Sequence, residues 1–258
     1  MTRKKEPLVS IIMPLFNAEK YLQISINSVI NQIYKNWEMI IVDDNSTDES
    51  LKIAKENSML EKRLVVLHQG ENKGAAEARN LGIKFSKGEY IAFLDSDDVW
   101  NVDKLVKQIE FMKINKYLFS CTYYGKIDSA GNKLKAVVHS PQKMNYNKLL
   151  TNCPGNSTVI YNAQILGKTY IPPIRKRNDY LMWLGVIKKA NYLWTLQEVN
   201  SYHRLRKDSI SSQKMKLIKY HWKIYRSYEK LSFLKSAVIL TIILVKGINT
   251  KIKKVIGE

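Results

Sequence analysis

The sequence predicts an α/β protein built around a largely parallel sheet, and three observations support this prediction. Short β-branched apolar runs alternate with segments whose apolar residues recur at helical spacing through the first 115 residues. The runs are almost continuously hydrophobic, as expected of strands that helices cover on both faces. Each run also ends in polar residues, at what would be one edge of the sheet. We therefore expect a buried sheet whose carboxyl edge carries the functional side chains.

The predicted elements of the first half follow the order strand, helix, strand. Leu8 to Leu15 forms the first strand, and apolar residues from Leu22 to Ile33 form the first helix. Trp37 to Val42 is the second strand, and NSTDESLKIAKE then supplies capping residues and a helical pattern. The remaining predictions are a strand at Leu64 to Leu67, a helix at Ala75 to Phe85, a strand at Tyr90 to Leu94 and a helix at Asp103 to Asn115.

The second half is less regular. YLFSCTYYGKIDSAGNKLKAVV predicts two strands joined by a turn at Ser129 to Asn132, so this half should add antiparallel strands and loops. From Lys214 onward the chain is strongly basic, and its apolar stretch Ala237 to Val245 is shorter than the ~18 to 20 residues of a membrane-spanning helix. We predict one domain over residues 1–213, with halves 1–115 and 116–213, and a surface-lying amphipathic helical tail over 214–258.

Composition limits the classes of function. The formal charge of +19 on 258 residues indicates acidic partners: nucleic acid, anionic lipid or phosphate-bearing substrates. A nucleic-acid-binding protein is the weaker alternative, because the charge concentrates in the tail and no binding motif is evident. No G-x-G-x-x-G follows the first strand, which argues against a nicotinamide dehydrogenase. Cys121 and Cys153 have no metal-binding spacing, so we expect reduced, structural cysteines in a cytoplasmic protein.

Polar residues follow three of the predicted strands and should converge on one edge. These are Pro14 to Asn17, then Asp43 with Asp44, then Asp95 with Asp97. In an extended DSD segment, Asp95 and Asp97 share a face while Ser96 points away, so both carboxylates can reach one ligand. Carboxylate oxygens suit Mg²⁺ or Mn²⁺. The alternative is that the cluster is a solvated turn, with Asp98 starting the next helix.

Five motifs together resemble those of family 2 glycosyltransferases. In chain order they are PLFN after the first strand, VDDNSTDES, NKGAAEARNLGI, GEYIAFLDSDD and RNDYLMWLGV, over roughly residues 8 to 205. The resemblance implies an inverting enzyme of the GT-A fold, with residues 1–115 binding the nucleotide sugar and 116–213 the acceptor. The Gln-x-x-Arg-Trp motif and membrane spans of processive relatives are missing, which implies transfer of one sugar per encounter.

The resemblance also implies the residues of the donor site. The loop Pro14, Leu15, Phe16 and Asn17 together with Asp44 would hold the nucleotide base, and Asp43 would be structural. Gly74 and Arg79 would lie beneath the nucleotide, where Arg79 pairs with Asp95 or approaches the diphosphate. Asp95 and Ser96 would contact the nucleoside, and Asp97 would bind Mn²⁺ or Mg²⁺.

For the acceptor side, Asp179 matches the position of the general base. Asn178 stands where many relatives have Glu, which removes an acceptor contact but leaves the base. Asp179 could equally cap its helix, and we expect Trp183 in the core rather than on a sugar. His203, Arg204 and Arg206 are candidates for contacts with the departing diphosphate.

These expectations define a metal-dependent transfer of a hexose or N-acetylhexosamine from a nucleotide sugar, most plausibly UDP-linked, to a hydroxyl of a lipid-linked oligosaccharide. The basic tail implies a peripheral enzyme on the inner face of the cytoplasmic membrane, acting in assembly of a bacterial surface polysaccharide. Alternatives left open are a tail that packs on the domain or mediates dimerisation, and a non-catalytic scaffold that binds nucleotide sugar or lipid.

Overall fold

A computed structural model describes the backbone of residues 6–205 and 214–256, and the side chains of 6–205 and 217–246. Its strands are β1 (Val9–Leu15), β2 (Trp37–Asp43), β3 (Leu64–His68), β4 (Tyr90–Phe93), β5 (Val99–Trp100), β6 (Phe119–Ile127), β7 (Lys133–Val138), β8 (Lys143–Met144), β9 (Ile160–Asn162) and β10 (Leu193–Arg204). Its helices are α1 (Glu19–Ile30), α2 (Ser50–Leu60), α3 (Ala75–Phe85), α4 (Lys104–Ile114), α5 (Tyr146–Leu149), α6 (Ala163–Leu166), α7 (Asn178–Ala190), α8 (Lys214–Lys223) and α9 (Phe233–Ile256).

The strands form one mixed sheet in the order β3-β2-β1-β4-β9-β6-β10-β5, with β7 paired to β6 and β8 to β10. The first four strands of this order are parallel, which confirms the predicted parallel half. β9 joins the sheet antiparallel to β4 and β6, and β7 folds back on β6 after the predicted turn. The sequence pattern missed one feature: β10 pairs with β6 in parallel rather than antiparallel.

The sheet separates two apolar cores. Along β1, Val9, Ile11 and Met13 face the core formed with α1, α2 and α4, whereas Ile12 faces the core formed with α3 and α7. Alternation on a strand buried on both faces explains why the sequence reads as one continuous apolar run. Trp183 of α7 is fully buried against Phe93, so the prediction that it is a core residue is confirmed.

The C-terminal segment packs partly on the domain. Ile224 and Tyr225, in a short π-helical stretch over Ile224–Tyr228, are fully buried in the same core as α3 and α7, and Ile239 of α9 joins them. Leu234 and Val238 of α9 are largely exposed, and the amphipathic membrane-surface character of the tail stays a prediction. Within the described parts of the chain, no helix combines the length and apolarity needed to cross a membrane. The boundary at residue 213 stays a prediction.

Candidate active site

The carboxyl ends of β1, β2 and β4 meet at one edge of the sheet, as the strand order requires. At the end of β2, the Asp44 carboxylate accepts hydrogen bonds from the backbone N–H groups of Lys73 (2.7 Å) and Gly74 (2.8 Å). Burial raises the pKa of Asp44 despite these two donors. Gly74 precedes α3 with φ +90°, a conformation that favours glycine. Asp44 thus holds the start of α3 against the edge.

The loop after β1 offers fewer side chains than predicted. Pro14 and Leu15 lie within β1 and are buried, because both faces of this central strand are covered. Phe16 is 48% exposed at the edge. Asn17 exchanges hydrogen bonds with Thr47: its side chain donates to Oγ1 (3.3 Å) and accepts from the backbone N–H (2.9 Å). Phe16 and Asn17 are therefore the side chains of this loop that reach the edge, and binding of the nucleotide base by Pro14 to Asn17 stays a prediction.

Asp43 differs from its neighbour Asp44 in having no exposed surface. Its carboxylate lies 2.9 Å from Nδ1 of His68 and accepts a hydrogen bond from the backbone N–H of Ser46 at 3.2 Å. These contacts tie the end of β2 to the end of β3 and to the following loop. The geometry is that of a structural residue, as expected.

Arg79 of α3 connects the two halves of the site. Its Nη2 donates to Oδ1 of Asp95 (2.7 Å), and its Nη1 donates to Oδ1 of Asn178 (3.0 Å), the residue before Asp179. The guanidinium is almost completely buried, and its Nε has no hydrogen-bond partner. Asp95 also accepts from Nδ2 of Asn156 at 2.8 Å. One side chain therefore fixes both the DSD segment and the start of α7.

The rest of the DSD segment is held mainly through its backbone. The carbonyl of Ser96 accepts from Ser25 Oγ (3.0 Å), and that of Asp97 accepts from Nε of Arg204 (3.0 Å). The Asp97 carboxyl group is half-buried, on the stretch between β4 and β5. The side chain of Ser96 thus remains a predicted nucleotide contact, and Asp97 a predicted metal ligand.

Asp98 does not start a helix, which corrects that alternative. The following helix begins at Lys104 after Asp103, whereas Asp98 is buried and accepts from Ser157 Oγ (2.6 Å) and from the backbone N–H of Arg204 (3.1 Å). Burial, with the nearby charge of Asp95, raises the pKa of Asp98 to about 7. Asp98 joins β10 to the DSD segment from inside the protein.

His203 of β10 lies where the candidate carboxylates converge. Burial lowers the pKa of His203 to about 4, and the charges of Asp95, Asp97 and Asp179 act in the opposite direction. The imidazole stacks on Tyr124 with ring centroids 3.9 Å apart. Its Nε2 lies 3.5 Å from a carboxylate oxygen of Asp98 and has no hydrogen-bond partner. The neutral ring thus brings a nitrogen without a partner to the region between the DSD segment and the predicted base.

Arg204 lies beneath the same segment. Besides donating to the Asp97 carbonyl, it donates from Nη1 to the carbonyl of Asp128 (3.0 Å), and its guanidinium lies over the Tyr21 ring at 4.4 Å. These contacts position the DSD segment, and a direct diphosphate contact by Arg204 stays a prediction. Arg206 lies outside the described residues.

Asp179 lies in the first turn of α7 and is half-buried. The residue that caps this helix is Arg177, in the left-handed region with φ 61°, so Asp179 is not the helix cap. The charge of Asp179 acts on Cys153, Arg177 and His203, which places the carboxylate between the 150–156 segment and the convergence point.

The side chains at this edge fit a divalent cation that is bound partly by protein atoms and partly by a substrate. Among the residues with described side chains, no group of three or more His, Cys, Asp or Glu could bind a metal ion by itself. Mg²⁺ is usually held by one or two carboxylates together with substrate phosphates and water. The Asp97 carboxylate and the partnerless Nε2 of His203 provide the kinds of atom such a site needs.

Sequence reasoning missed three residues of this site. Asn156 and Ser157 hold Asp95 and Asp98, and Tyr124 stacks on His203. Asn156 and Ser157 lie in a short 3₁₀ turn at the end of the polar NCPGNST stretch, which carries no helical or strand period. Only the fold shows that this turn lies under the DSD segment.

Comparison with known proteins shows the family to which the chain belongs. The sequence model described as glycosyl transferase family 2 matches residues 10–164. A Bacillus subtilis (strain 168) glycosyltransferase whose name assigns it to teichuronic acid biosynthesis is 40% identical over 232 residues, 90% of this chain and 92% of that protein. An Escherichia coli UDP-Glc:α-D-GlcNAc-diphosphoundecaprenol β-1,3-glucosyltransferase, WfgD, is 40% identical over 223 residues, 84% and 85% of the two chains. The chain therefore belongs to glycosyl transferase family 2.

Solved structures agree on the fold. Staphylococcus aureus TarS residues 1–349, in complex with UDP-GlcNAc, matches with a TM-score of 0.69 at 22% identity, over 92% of this chain and 71% of that one. The mannosyltransferase PcManGT of Pyrobaculum calidifontis, in complex with GDP-Man and Mn²⁺, also gives 0.69, at 14% identity over 92% and 69%. The predicted GT-A architecture is confirmed.

Proposed function

We propose that this enzyme transfers a single sugar from a UDP-sugar to a hydroxyl of a lipid-linked oligosaccharide, with inversion at the anomeric carbon and with a divalent cation. The observation that carries the proposal is the pair of hydrogen bonds by which Arg79 joins Asp95 of the DSD segment to Asn178, the residue before Asp179. A metal ligand and a base must face one sugar from two sides, and in this proposal Asp97 and Asp179 take these two roles.

On the donor side, Phe16, Asn17 and Asp44 would bind the nucleotide base at the ends of β1 and β2. Asp97 would hold Mn²⁺ or Mg²⁺, with His203 beside it, and the ion would neutralise charge on the departing diphosphate. Gly74 would let α3 approach the nucleotide closely. Buried Arg79 keeps Asp95 in place, so that the DSD segment is organised before the donor arrives.

On the acceptor side, Asp179 would accept the proton of the attacking hydroxyl. Its place on a rigid helix favours this role, because a general base must lie within hydrogen-bond reach of that proton. A single displacement assisted by one base inverts the anomeric configuration. Asn178, already bonded to Arg79, would position the base rather than contact the acceptor.

The choice of substrates rests on the relatives. WfgD and a second E. coli protein, WfaP, 37% identical over 211 residues, are both named as UDP-glucose enzymes that act on GlcNAc-diphosphoundecaprenol. UDP-glucose and GlcNAc-diphosphate lipids are therefore the first substrates to test, ahead of other UDP-hexoses and UDP-N-acetylhexosamines. The exposed apolar side of α9 and its lysines would place the enzyme on the inner surface of the cytoplasmic membrane.

Thermal unfolding with UDP, GDP, CDP and dTDP, each with Mn²⁺ or with chelator, tests the donor side. A ligand at ~100 times its dissociation constant adds about 2.7 kcal/mol of stability, which is a measurable shift. We expect a shift with UDP that needs Mn²⁺ and that Asp97→Ala abolishes. NMR of the product made from UDP-glucose should show β configuration. A shift with another nucleotide only, or an α product, would refute the respective part of the proposal.

A further inference from the structure

A groove lies between α5 and the first half of α9, with a volume of 630 Å³. Its apolar lining comes from Leu150, just after α5, and from Leu234, Val238, Ile239 and Ile242 on α9. Ile239 and Leu150 form its buried floor, whereas Leu234 and Val238 are largely exposed at its rim. A concave apolar surface of this kind suits a narrow aliphatic chain.

Lysines of α9 reach across both ends of the groove. Lys235 Nζ lies 3.4 Å from Oδ1 of Asn147, and Lys246 Nζ lies 3.0 Å from Oδ1 of Asn152 and 3.3 Å from the carbonyl of Thr151. Eleven residues of helix separate the two lysines, about 16 Å at 1.5 Å per residue. The groove therefore combines an apolar strip, formed by Leu150 and α9, with polar side chains of Asn147, Thr151 and Ser232 and a lysine at each end.

The Lys246 end leads to the active site. Leu150 of the groove accepts a hydrogen bond from the Tyr180 hydroxyl (2.9 Å), and Tyr180 follows Asp179 in α7. Lys246 contacts Thr151 and Asn152, and the chain continues from there to Cys153, which is near Asp179. It then reaches Asn156, which donates a hydrogen bond to Asp95. Seven residues, 150–156, thus run from the groove past the predicted base to the DSD segment.

We infer that this groove binds the isoprenoid chain of the lipid-linked acceptor, with the acceptor diphosphate at the Lys246 end and the sugar at Asp179. The inference rests on the proposed function and adds to it the site for the lipid. Charge complementarity favours this occupant, because such an acceptor is anionic at one end and apolar along its length. A bilayer surface would instead contact outward-facing positions of α9 such as Val245, which does not line the groove.

Two soluble acceptors separate lipid recognition from membrane binding. One is GlcNAc-α-diphosphate carrying a farnesyl chain, and the other carries a methyl group in its place. Both are assayed with UDP-glucose in the absence of membranes and detergent. For the wild type we expect a KM at least tenfold lower for the farnesyl acceptor, because only that acceptor fills the groove. Equal KM values for the two acceptors would overturn the inference while leaving the proposed transfer intact.

Val238 and Val245 provide a matched pair of variants. Both are valines of α9, 51% and 50% exposed, but only Val238 lines the groove. Val238→Asn should reduce the farnesyl preference at least threefold with the methyl KM unchanged, whereas Val245→Asn should leave the preference unaltered. If the farnesyl preference fell in both variants, or in neither, the groove would not be its cause.

The Lys246 end has its own test. Lys246→Gln should raise KM for both acceptors about equally, since both carry the diphosphate, while Lys219→Gln on the exposed side of α8 should change neither. An unchanged KM in Lys246→Gln would overturn the assigned orientation. If neither acceptor is turned over, the proposed substrates are wrong, and calorimetric binding of the same two compounds to wild type and Val238→Asn still decides whether the groove binds isoprenoid.

Discussion

The donor edge and the acceptor groove are built in opposite ways. At the donor edge, Asp44, Asp95 and Asp98 each accept at least two hydrogen bonds from protein groups before any ligand is present. The groove has an apolar lining, and its two lysines make side-chain contacts at 3.0 Å or longer. One surface is fixed by polar contacts, and the other offers shape and apolar area.

The difference follows from what each surface has to recognise. A nucleotide sugar carries dense polar groups that must be oriented to within a fraction of an ångström for transfer, which requires preorganised donors and acceptors. A lipid chain has no polar groups, so it can be held by burial of area alone. Mutations at the donor edge should therefore alter turnover, and mutations at the groove should alter acceptor KM.

The largest effect is expected from Asp179→Asn. The substitution preserves shape and removes the base, and loss of a general base typically lowers kcat by about 10²- to 10⁴-fold. The KM for the UDP-sugar should stay close to the wild-type value, because Asp179 lies on the acceptor side. Steady-state kinetics of UDP release measure both constants.

Asp103→Asn is the control for this variant. Asp103 is also an aspartate next to a helix, but it caps α4 and forms an ion pair with Lys107 on the surface. Its kcat should remain within twofold of the wild type. Near-normal turnover of Asp179→Asn would show that another residue is the catalytic base. The acceptor side would then have no assigned catalytic residue to compare with the donor edge.

A buried lysine beneath the donor edge should make the stability depend on pH. Lys104 is fully buried beside Gln108, with its Nζ 4.7 Å from the centre of the Trp100 ring, and burial lowers its pKa from 10.5 to about 7. Between these values the unfolded chain binds more protons than the folded one, so stability rises with pH. From pH 7 to pH 9.5 this gain is about 3 kcal/mol, and Lys104→Met should lack it.

Urea unfolding of both proteins across that pH range measures the difference. Lys113→Met, which replaces an exposed lysine on the same helix, should keep the wild-type slope. If the free energy of unfolding changed with pH equally in wild type and Lys104→Met, burial would not lower the pKa of Lys104.

Arg79→Lys should give a smaller loss of activity. Lysine keeps the charge but cannot donate to Asp95 and Asn178 at once in the fixed geometry of a guanidinium. Loss of one charge-assisted hydrogen bond, about 1.5 to 3 kcal/mol, predicts a reduction in kcat/KM of about ten- to a hundredfold. The reduction should fall mainly on kcat, because Arg79 positions the two catalytic segments.

Arg63→Lys is the matched control. Arg63 also donates to a carboxylate through Nε and Nη2, but its partner Glu61 lies on the far side of β3, away from the site. Its kinetics should match the wild type. If Arg79→Lys raised only KM for the donor, Arg79 would act as a diphosphate contact, the other role predicted from the sequence.

The donor edge could be predicted from the sequence because its residues follow strands of a parallel sheet. Asp44, Asp95 and Asp97 each come directly after an apolar run, and topology alone brings such positions to one edge. The pairing of Arg79 with Asp95 was also foreseen, and it is observed. Local pattern and global fold agree in this half of the molecule, so short motifs were enough.

The acceptor side could not be predicted in the same way. Asn156 and Ser157 lie in a turn without periodicity, and His203 gains its place from the parallel pairing of β10 with β6. The groove requires α9 to lie against α5, a contact between residues far apart in sequence. The apolar stretch of α9 predicted only an amphipathic helix. Periodicity shows which side of a helix is apolar, but it does not show which element covers that side.

The smallest effect tests whether the C-terminal segment belongs to the domain. The Tyr225 hydroxyl donates to the carbonyl of Leu150 (2.8 Å) and lies 3.1 Å from the Tyr180 hydroxyl, so it joins the segment before α9 to both α7 and the groove. Tyr225→Phe should cost about 1 kcal/mol of stability, a melting temperature about 2–4 °C lower for a chain of this size. Tyr192→Phe, at an exposed position, should not change it. An unchanged melting temperature for Tyr225→Phe would mean that the segment packs on the domain without this bond, and the groove would then depend on apolar contacts alone.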